Sequence, residues 1–332
     1  MAGARIVIPD DFPTVFGGHP ALERLRTAGE ARVYTERATG EAELLERLCD
    51  ADVAINVRAF TRFDEHLLSN LPDLRLIAIV GTGTDHVDLA AADRLGVTVS
   101  NTPGANARSV AEHAVALMFA AARQIPLHDR ETRAGEWRHH EAPELLDKTI
   151  GVVGLGNIGR QVAQMASGLG LRVIAWSFTS DPERARACGA ELVALDELLR
   201  QADIISLHLP ATPQSRGMIG ARELALLRPR AILINTARAA LVDEPALLEA
   251  LRSGRLGGAG LDVHAPEPLP ADSPYFEFEN VVLTPHIGWV THEAGERLVQ
   301  MPIDNVLAFL AGSPRCVVNP VSLAHPKHMA GR

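Results

Sequence analysis

The stretch Thr149 to Trp176, TIGVVGLGNIGRQVAQMASGLGLRVIAW, constrains the fold more than any other part of the chain. An apolar run (Ile150 to Val153) meets Gly154-Leu155-Gly156-Asn157-Ile158-Gly159. A helical stretch (Arg160 to Leu169) follows, and Gly170 leads into a second apolar run, Arg172 to Trp176. Strand, glycine turn, helix and strand in that order are the setting in which G-x-G-x-x-G reads as a dinucleotide site. Gly154 permits the tight turn, Gly156 lets the backbone approach a pyrophosphate, and Gly159 lets the helix pack close to the strand. The N–H groups at the helix start face the phosphates. A glycine-rich turn in some other α/β protein would leave the spacing of the three glycines without a reason.

The same alternation runs through the rest of the chain. Strands are predicted at Arg5 to Pro9, Arg32 to Thr35, Val53 to Val57, Arg75 to Val80 and Val97 to Val99, with helices at Pro20 to Ala28, Glu41 to Leu48 and Asp64 to Leu71. Successive βα units predict a parallel sheet. Asn101-Thr102-Pro103-Gly104 then breaks the chain, and Ser109 to Arg123 is a helix apolar around most of its circumference, buried within a domain or between domains or subunits. A more polar helix is predicted at Asp129 to Trp137. Beyond the glycine unit come helices at Pro182 to Cys188, Leu195 to Gln201, Ala221 to Leu227 and Glu244 to Ser253, the last capped by Asp243. They alternate with strands at Asp203 to Leu207, Ala231 to Ile234, Gly258 to Val263 and Val281 to Leu283, and a long helix, His292 to Leu310, follows. The expected fold is α/β, with two doubly wound, Rossmann-like parallel-sheet domains and an active-site cleft between them. Residues 101–289 form the dinucleotide-binding domain; residues 1–100 and 290–332 form a discontinuous substrate-binding domain.

Composition excludes more than it selects. A chain of 332 residues suggests two domains. Its net charge of −9 argues against nucleic acid or an anionic membrane as the main partner. Cys49, Cys188 and Cys316 are scattered, with no C-x-x-C pair, which gives neither a disulfide framework nor a metal site and fits a reducing compartment. With no signal-peptide core and no long apolar run, a cytoplasmic protein is expected.

Ligands of open α/β sheets bind beyond the carboxyl ends of the strands. The residues that close the strands are Ser177, His208, Arg238, Asp262 and His286, with Arg58 and the turn Val80-Gly81-Thr82-Gly83 in the other domain. An arginine, a histidine and acidic groups facing one cleft suit an anionic carbonyl substrate and a proton transfer. Taken singly, Arg238 could pair with a surface carboxylate, His286 could be a structural histidine, and Glu267 could be an ordinary loop carboxylate.

Seven ordered motifs resolve those alternatives: VGTGTDHVDL (Val80 to Leu89), NTPGANARSVAEHAVALMF (Asn101 to Phe119), GVVGLGNIGR (Gly151 to Arg160), SLHLPATPQSRGMIG (Ser206 to Gly220), INTARAALVDEPAL (Ile234 to Leu247), GLDVHAPEPLP (Gly260 to Pro270) and LTPHIGW (Leu283 to Trp289). With them the chain resembles the D-isomer-specific 2-hydroxyacid dehydrogenases, the group of D-3-phosphoglycerate, D-lactate and D-glycerate dehydrogenases and glyoxylate/hydroxypyruvate reductases. The resemblance implies catalysis by Arg238, Glu267 and His286. His286 would exchange the proton with the carbonyl oxygen, Glu267 would orient the ring and favour its charged form, and Arg238 would hold the carboxylate and polarise the carbonyl. It further implies cofactor contacts from Gly154, Leu155, Gly156, Asn157, Ile158 and Gly159, from Ser177 and Phe178, and from His208, Leu209 and Pro210. Thr236, Ala237, Arg238, Asp262, His286 and Gly288 complete that set. For the substrate it implies Val80, Gly81 and Thr82, with Arg58 and Asn106 at the distal end. No metal is implied.

Two departures qualify the resemblance. Ser177, followed by Phe178-Thr179-Ser180, stands where NAD-preferring members carry an aspartate for the ribose hydroxyls. No cation follows directly, which favours NAD, with NADP the alternative. His264-Ala265 stands where many relatives have an aromatic residue and a glutamate, and His264 reads as a surface-loop histidine, with a place lining the cleft as the alternative. The alternatives in function are phosphite oxidation, with the same three residue types, and a cofactor-sensing corepressor-type binding protein. The expected partner is a small 2-keto or 2-hydroxy acid, and the chain is expected to form a homodimer through its cofactor domain.

Overall fold

The computed structural model describes residues 3–57 and 61–319. Their strands are β1 (Ala4–Ile8), β2 (Gly29–Val33), β3 (Val53–Val57), β4 (Leu76–Val80), β5 (Thr98–Ser100), β6 (Thr149–Val153), β7 (Arg172–Trp176), β8 (Ala190–Leu192), β9 (Ile204–Leu207), β10 (Ala231–Asn235), β11 (Leu256–Leu261) and β12 (Val281–Leu283). They form two sheets, ordered β2-β1-β3-β4-β5 and β12-β11-β10-β9-β6-β7-β8. Every ladder between these strands is parallel. The chain accordingly divides into two units, one of Met1–Asn106 with His292–Arg332 and one of Ala107–Thr291.

Both sheets are doubly wound. Their central strands are buried along their whole length, as in β3, β6 and β10. A sheet covered by helices on both faces calls for continuous apolar runs rather than alternation. In the second unit one face of the sheet is filled by Ala111, Leu117, Met118, Ile150, Val152 and Val162 among others, and the opposite face by Ile174, Leu198, Ile205, Leu224, Leu233 and Leu251. The helix Ala107–Ala122 lies close against β11 because Gly260 has no side chain; a Cβ there would come within 2.9 Å of Leu117 Cβ.

In the first unit the helix His292–Leu310 places Val299, Ile303 and Val306 against Ile6, Ile8, Val53, Val57 and Leu76. Each fully buried aliphatic side chain contributes about 1.5–3 kcal/mol, so the far end of the chain supplies a substantial part of that core. Residues after the helix return to the sheet edge. Val318 N donates to Val99 O, while the Asn319 side chain accepts from Val99 N and donates to Val97 O.

Two elements lie outside the sequence expectation, the three-residue strand β8 and the short helix Leu89–Arg94. Two are displaced. β2 begins at Gly29, three residues ahead of the β-branched run, because its pairing with β1 rather than its own propensity sets its start. The helix Ile125–Arg133 begins four residues early, with Pro126 in its first turn, where a missing N–H costs nothing.

The seven-stranded order fixes where a ligand belongs. From β6 the chain runs outward through β7 and β8, then returns to β9 on the other side of β6. That reversal opens a crevice at the carboxyl ends of β6 and β9, where the chain continues into Gly154 and His208.

Candidate functional site

Gly154 takes φ +103°, and a Cβ there would meet His208 O at 2.6 Å. At Gly159 a Cβ would sit 1.9 Å from Gly154 O. Over Gly156 nothing lies within 4 Å of a would-be Cβ, and no side chain caps the helix Asn157–Gly168 that starts there. The outer glycines are thus required by the protein's own packing. The middle one leaves open space against uncapped helical N–H groups, which is where an anion is bound. Leu155 is buried beneath the turn, and Asn157 Oδ1 accepts from Arg160 Nη2 at 2.8 Å. These residues fit a dinucleotide.

β7 closes in Trp176, whose ring meets Phe178 edge-on at 4.9 Å with Ser177 between them. Asp181 accepts from Arg184 N to cap the next helix and pairs with Arg184 Nε at 3.3 Å. At the end of β9, His208 is buried with Nε2 2.8 Å from Ser206 Oγ, and burial pushes its pKa down to about 3. Its ring is therefore neutral at physiological pH. Leu209 is buried beside it. Ser215 Oγ donates to Pro210 O.

The turn after β10 is shaped by Asn235, which donates to Arg238 O at 2.9 Å and accepts from Ala237 N at 3.0 Å. Thr236 is buried within this turn. Arg238 is half-buried and donates from Nη1 to Ala237 O.

Next in the sheet, the loops after β11 and β12 carry the other two groups. Glu267 Oε2 lies 2.8 Å from His286 Nδ1, and Glu267 Oε1 accepts from His264 N at 2.9 Å. Burial works against ionisation of Glu267, but the His286 hydrogen bond, the His264 N–H and the nearby positive charge outweigh it and hold the carboxyl below its usual range. Both side chains are about two-fifths exposed, and Nδ1 is the His286 nitrogen that Glu267 engages.

His286 has φ +56°, a left-handed conformation that costs a non-glycine residue about 1–3 kcal/mol. Asp262 holds it there. Ile287 N donates to Asp262 Oδ1 and Gly288 N to Oδ2, each at 2.8 Å, and Thr284 Oγ1 donates to Oδ1 at 2.6 Å. His113, from the helix Ala107–Ala122, reaches Thr284 Oγ1 at 3.0 Å and Asp262 Oδ1 at 3.3 Å. The Asp262 side chain is 2% exposed. Burial opposes its charge, yet the His113, Thr284 and backbone hydrogen bonds keep its carboxyl below the ordinary range. Sequence reasoning named Asp262 and Gly288 as cofactor contacts; in the structure both Asp262 oxygens are taken up in fixing the His286 loop. His113, Thr284 and Asn235 were not anticipated. The one signal for His113 was an imidazole in a helix apolar around most of its circumference.

Among the substrate residues, Arg58 lies outside the described residues. Val80 ends β4, Gly81 takes φ +132°, and Gly81 N donates to Thr102 Oγ1 at 2.8 Å. Asn101 Nδ2 donates to Thr82 O, so this turn is braced by Asn101-Thr102. Asn106 is the last residue of the first unit's opening segment. Among the described residues no group of three or more His, Cys, Asp or Glu is placed to hold a metal, and no helix is long and apolar enough to cross a membrane.

Comparison with known proteins draws these features together. The family model "D-isomer specific 2-hydroxyacid dehydrogenase, NAD binding domain" matches residues 115–288. The chain is 45% identical over 272 residues to the D-3-phosphoglycerate dehydrogenase of Mycobacterium bovis, covering 81% of this chain and 51% of that protein. It therefore spans about half the length of that relative. It is 41% identical over 293 residues to the glyoxylate reductase of Thermococcus litoralis, covering 85% and 88%. Among solved structures, a glyoxylate reductase from Paecilomyes thermophila superposes with TM-score 0.87 at 31% identity, over 96% and 98% of the two chains. An acyclic imino acid reductase in complex with NADPH and D-Arg gives 0.86 at 31%, over 95% and 99%. The D-lactate dehydrogenase of Aquifex aeolicus, complexed with NAD and lactic acid, gives 0.82 at 28%, over 99% of each.

Proposed function

The chain belongs to the D-isomer-specific 2-hydroxyacid dehydrogenase family, and from that premise we propose that it interconverts a D-2-hydroxy acid and its 2-keto acid with a nicotinamide dinucleotide. The observation that carries this reading is the Glu267–His286 pair at 2.8 Å, on a loop whose conformation is set by a buried aspartate. A dinucleotide bound over Gly154-Leu155-Gly156-Asn157-Ile158-Gly159 supplies the hydride. His286, charged and steadied by Glu267, gives its Nε2 proton to the carbonyl oxygen in reduction; the neutral ring takes that proton back in oxidation. Arg238 holds the substrate carboxylate through its planar fork and polarises the carbonyl. Asp262 touches neither proton nor substrate in this scheme and acts through the backbone of Ile287 and Gly288.

NAD is the proposed cofactor, with NADP second. Ser177 offers no carboxylate to repel a 2′-phosphate, but no cation follows it directly and Arg184 already pairs with Asp181. The test is a spectrophotometric panel of 2-keto acids, with phosphite in the oxidative direction, run with both cofactors. Turnover of at least one 2-keto acid with the lower KM for NADH is expected. A large preference for NADPH would reverse the cofactor assignment. Turnover of phosphite alone, or tight cofactor binding with no turnover, would overturn the reaction.

We also propose a homodimer through the second unit. Ile125, Trp137 and Leu146 are large apolar side chains more than half exposed on or near the helix Ile125–Arg133 and the segment that follows it, a distribution that marks an interaction surface. Light scattering after size exclusion should give twice the chain mass of 35.6 kDa; a monomer at micromolar concentration would refute it.

A further inference from the structure

His264 lies on the loop after β11, as the sequence implies, but its ring is engaged. Its ring is half-buried and reaches from the loop after β11 to the loop after β12, where Nε2 lies 2.9 Å from the carbonyl oxygen of Thr284. A carbonyl only accepts, so Nε2 carries the proton. The other ring nitrogen, Nδ1, is buried with no partner among the described residues. This ring is therefore not a solvated surface group. Its contact is one specific bond between two catalytic loops.

The position of that bond gives it a consequence. The backbone N–H of the same residue donates to Glu267 Oε1, while Glu267 Oε2 bonds to His286. Thr284, which receives the ring, stands two residues before His286, and its hydroxyl is tied to Asp262. His264 thus closes a ring of hydrogen bonds running from Glu267 to His286, back along the backbone to Thr284, and across the imidazole to His264. Its main chain sets one oxygen of the carboxylate, and its side chain sets the distance between the loops carrying the carboxylate and the acid/base. An apolar aromatic residue would fill the same volume but could not donate to Thr284.

We propose that His264 is a positioning residue that holds Glu267 and His286 in register through its Nε2–H bond to Thr284. The inference rests on the assignment of His286 as acid/base. The neighbouring charged or titratable groups are Glu267, His286, Asp262 and His113. His264 does not touch substrate or cofactor in this account.

The test compares His264→Phe, which keeps volume and removes the donor, with His264→Gln, whose amide nitrogen reaches the place of Nε2. In cofactor-free protein with labelled histidine, the His286 Nδ1 proton bonded to Glu267 should give a sharp downfield NMR resonance in the parent and in His264→Gln, and be broadened or lost in His264→Phe. With the most active acid of the panel, His264→Phe should lower kcat by about 5- to 10-fold, the fold-change expected for one lost hydrogen bond. Its KM should stay within about twofold, its pH profile should move, and His264→Gln should recover most of the rate. A parent-like resonance and pH profile in His264→Phe, or equal impairment in both variants, would overturn the proposal. Should the parent turn over no 2-keto acid, the functional reading fails on its own, and the proton resonance still decides the role of His264.

Discussion

Replacing His286 by alanine is expected to lower kcat/KM for the 2-keto acid by about 10²- to 10⁴-fold, the range supplied by a positioned general acid, while the protein still binds the dinucleotide with a far smaller loss. The two measurements belong together because the glycine turn proposed to hold the dinucleotide lies at a different strand end from the His286 loop. Near-normal turnover in His286→Ala would remove the acid/base assignment. Glu267→Gln tests its partner through pH. The Glu267 carboxyl is held below its usual range, so it is ionised through the neutral and mildly acidic region and stabilises the imidazolium. Without that charge the imidazolium loses its proton more readily, and the alkaline limb of the reduction profile should move to lower pH. An unmoved limb would mean that Glu267 orients the ring without tuning it. The same lowered pKa adds folded-state stability above the ordinary carboxyl range, lost as pH falls through the folded value. The side chain is more than a third exposed, so solvent screening keeps that contribution small.

The second large effect is expected at Gly159, where alanine should abolish dinucleotide binding. Its Cβ would stand 1.9 Å from Gly154 O, roughly half a normal carbon–oxygen contact, and 3.3 Å from Val152 Cγ1. Only movement of the backbone relieves that overlap, and the backbone in question is the turn proposed to take the phosphates. NADH fluorescence titration of Gly159→Ala, with circular dichroism to show that the fold survives, reads this without any knowledge of the substrate. Gly156→Ala is the internal contrast, because its Cβ meets no protein atom within 4 Å. It should leave folding intact and weaken only the bound state. Parent-like affinity in Gly159→Ala would mean the turn does not cradle the cofactor.

The glycine turn and the strand-closing residues were legible in the chain because their requirements are local. A pyrophosphate needs a bare backbone at set intervals, and a strand of a parallel sheet ends where its apolar run ends. Arg238, Glu267 and His286 could be named from motifs, but the sequence did not show what holds them. Asp262 looked like a ligand contact because it closes a strand; its engagement with Ile287 and Gly288 depends on the left-handed turn at His286, which no residue-type preference announces. His113 and Thr284 lie 171 residues apart, and their bond exists only once the helix Ala107–Ala122 lies on the sheet. The contact made by the His264 ring was hidden for a related reason. Its neighbours Ala265, Pro266 and Pro268 signal a loop, and nothing in the loop's composition shows that its ring crosses to another. The strand β8 and the helix Leu89–Arg94 escaped detection because three to six residues carry too little periodicity to separate from their surroundings.

The two-ended construction of the first unit has a consequence for how the chain is made. Ala107–Thr291 is a continuous span, so every strand and helix of the second unit has been synthesised before its last loop leaves the ribosome. The first unit is different: Ile6, Val53 and Leu76 wait for Val299, Ile303 and Val306. At synthesis rates of about 5–20 residues per second, that wait is roughly 11–60 s. During it that face of the nascent parallel sheet is covered only by residues of the opening segment, such as Phe16, Leu22 and Leu25. The core of the first unit is thus completed only after the whole of the second has been made.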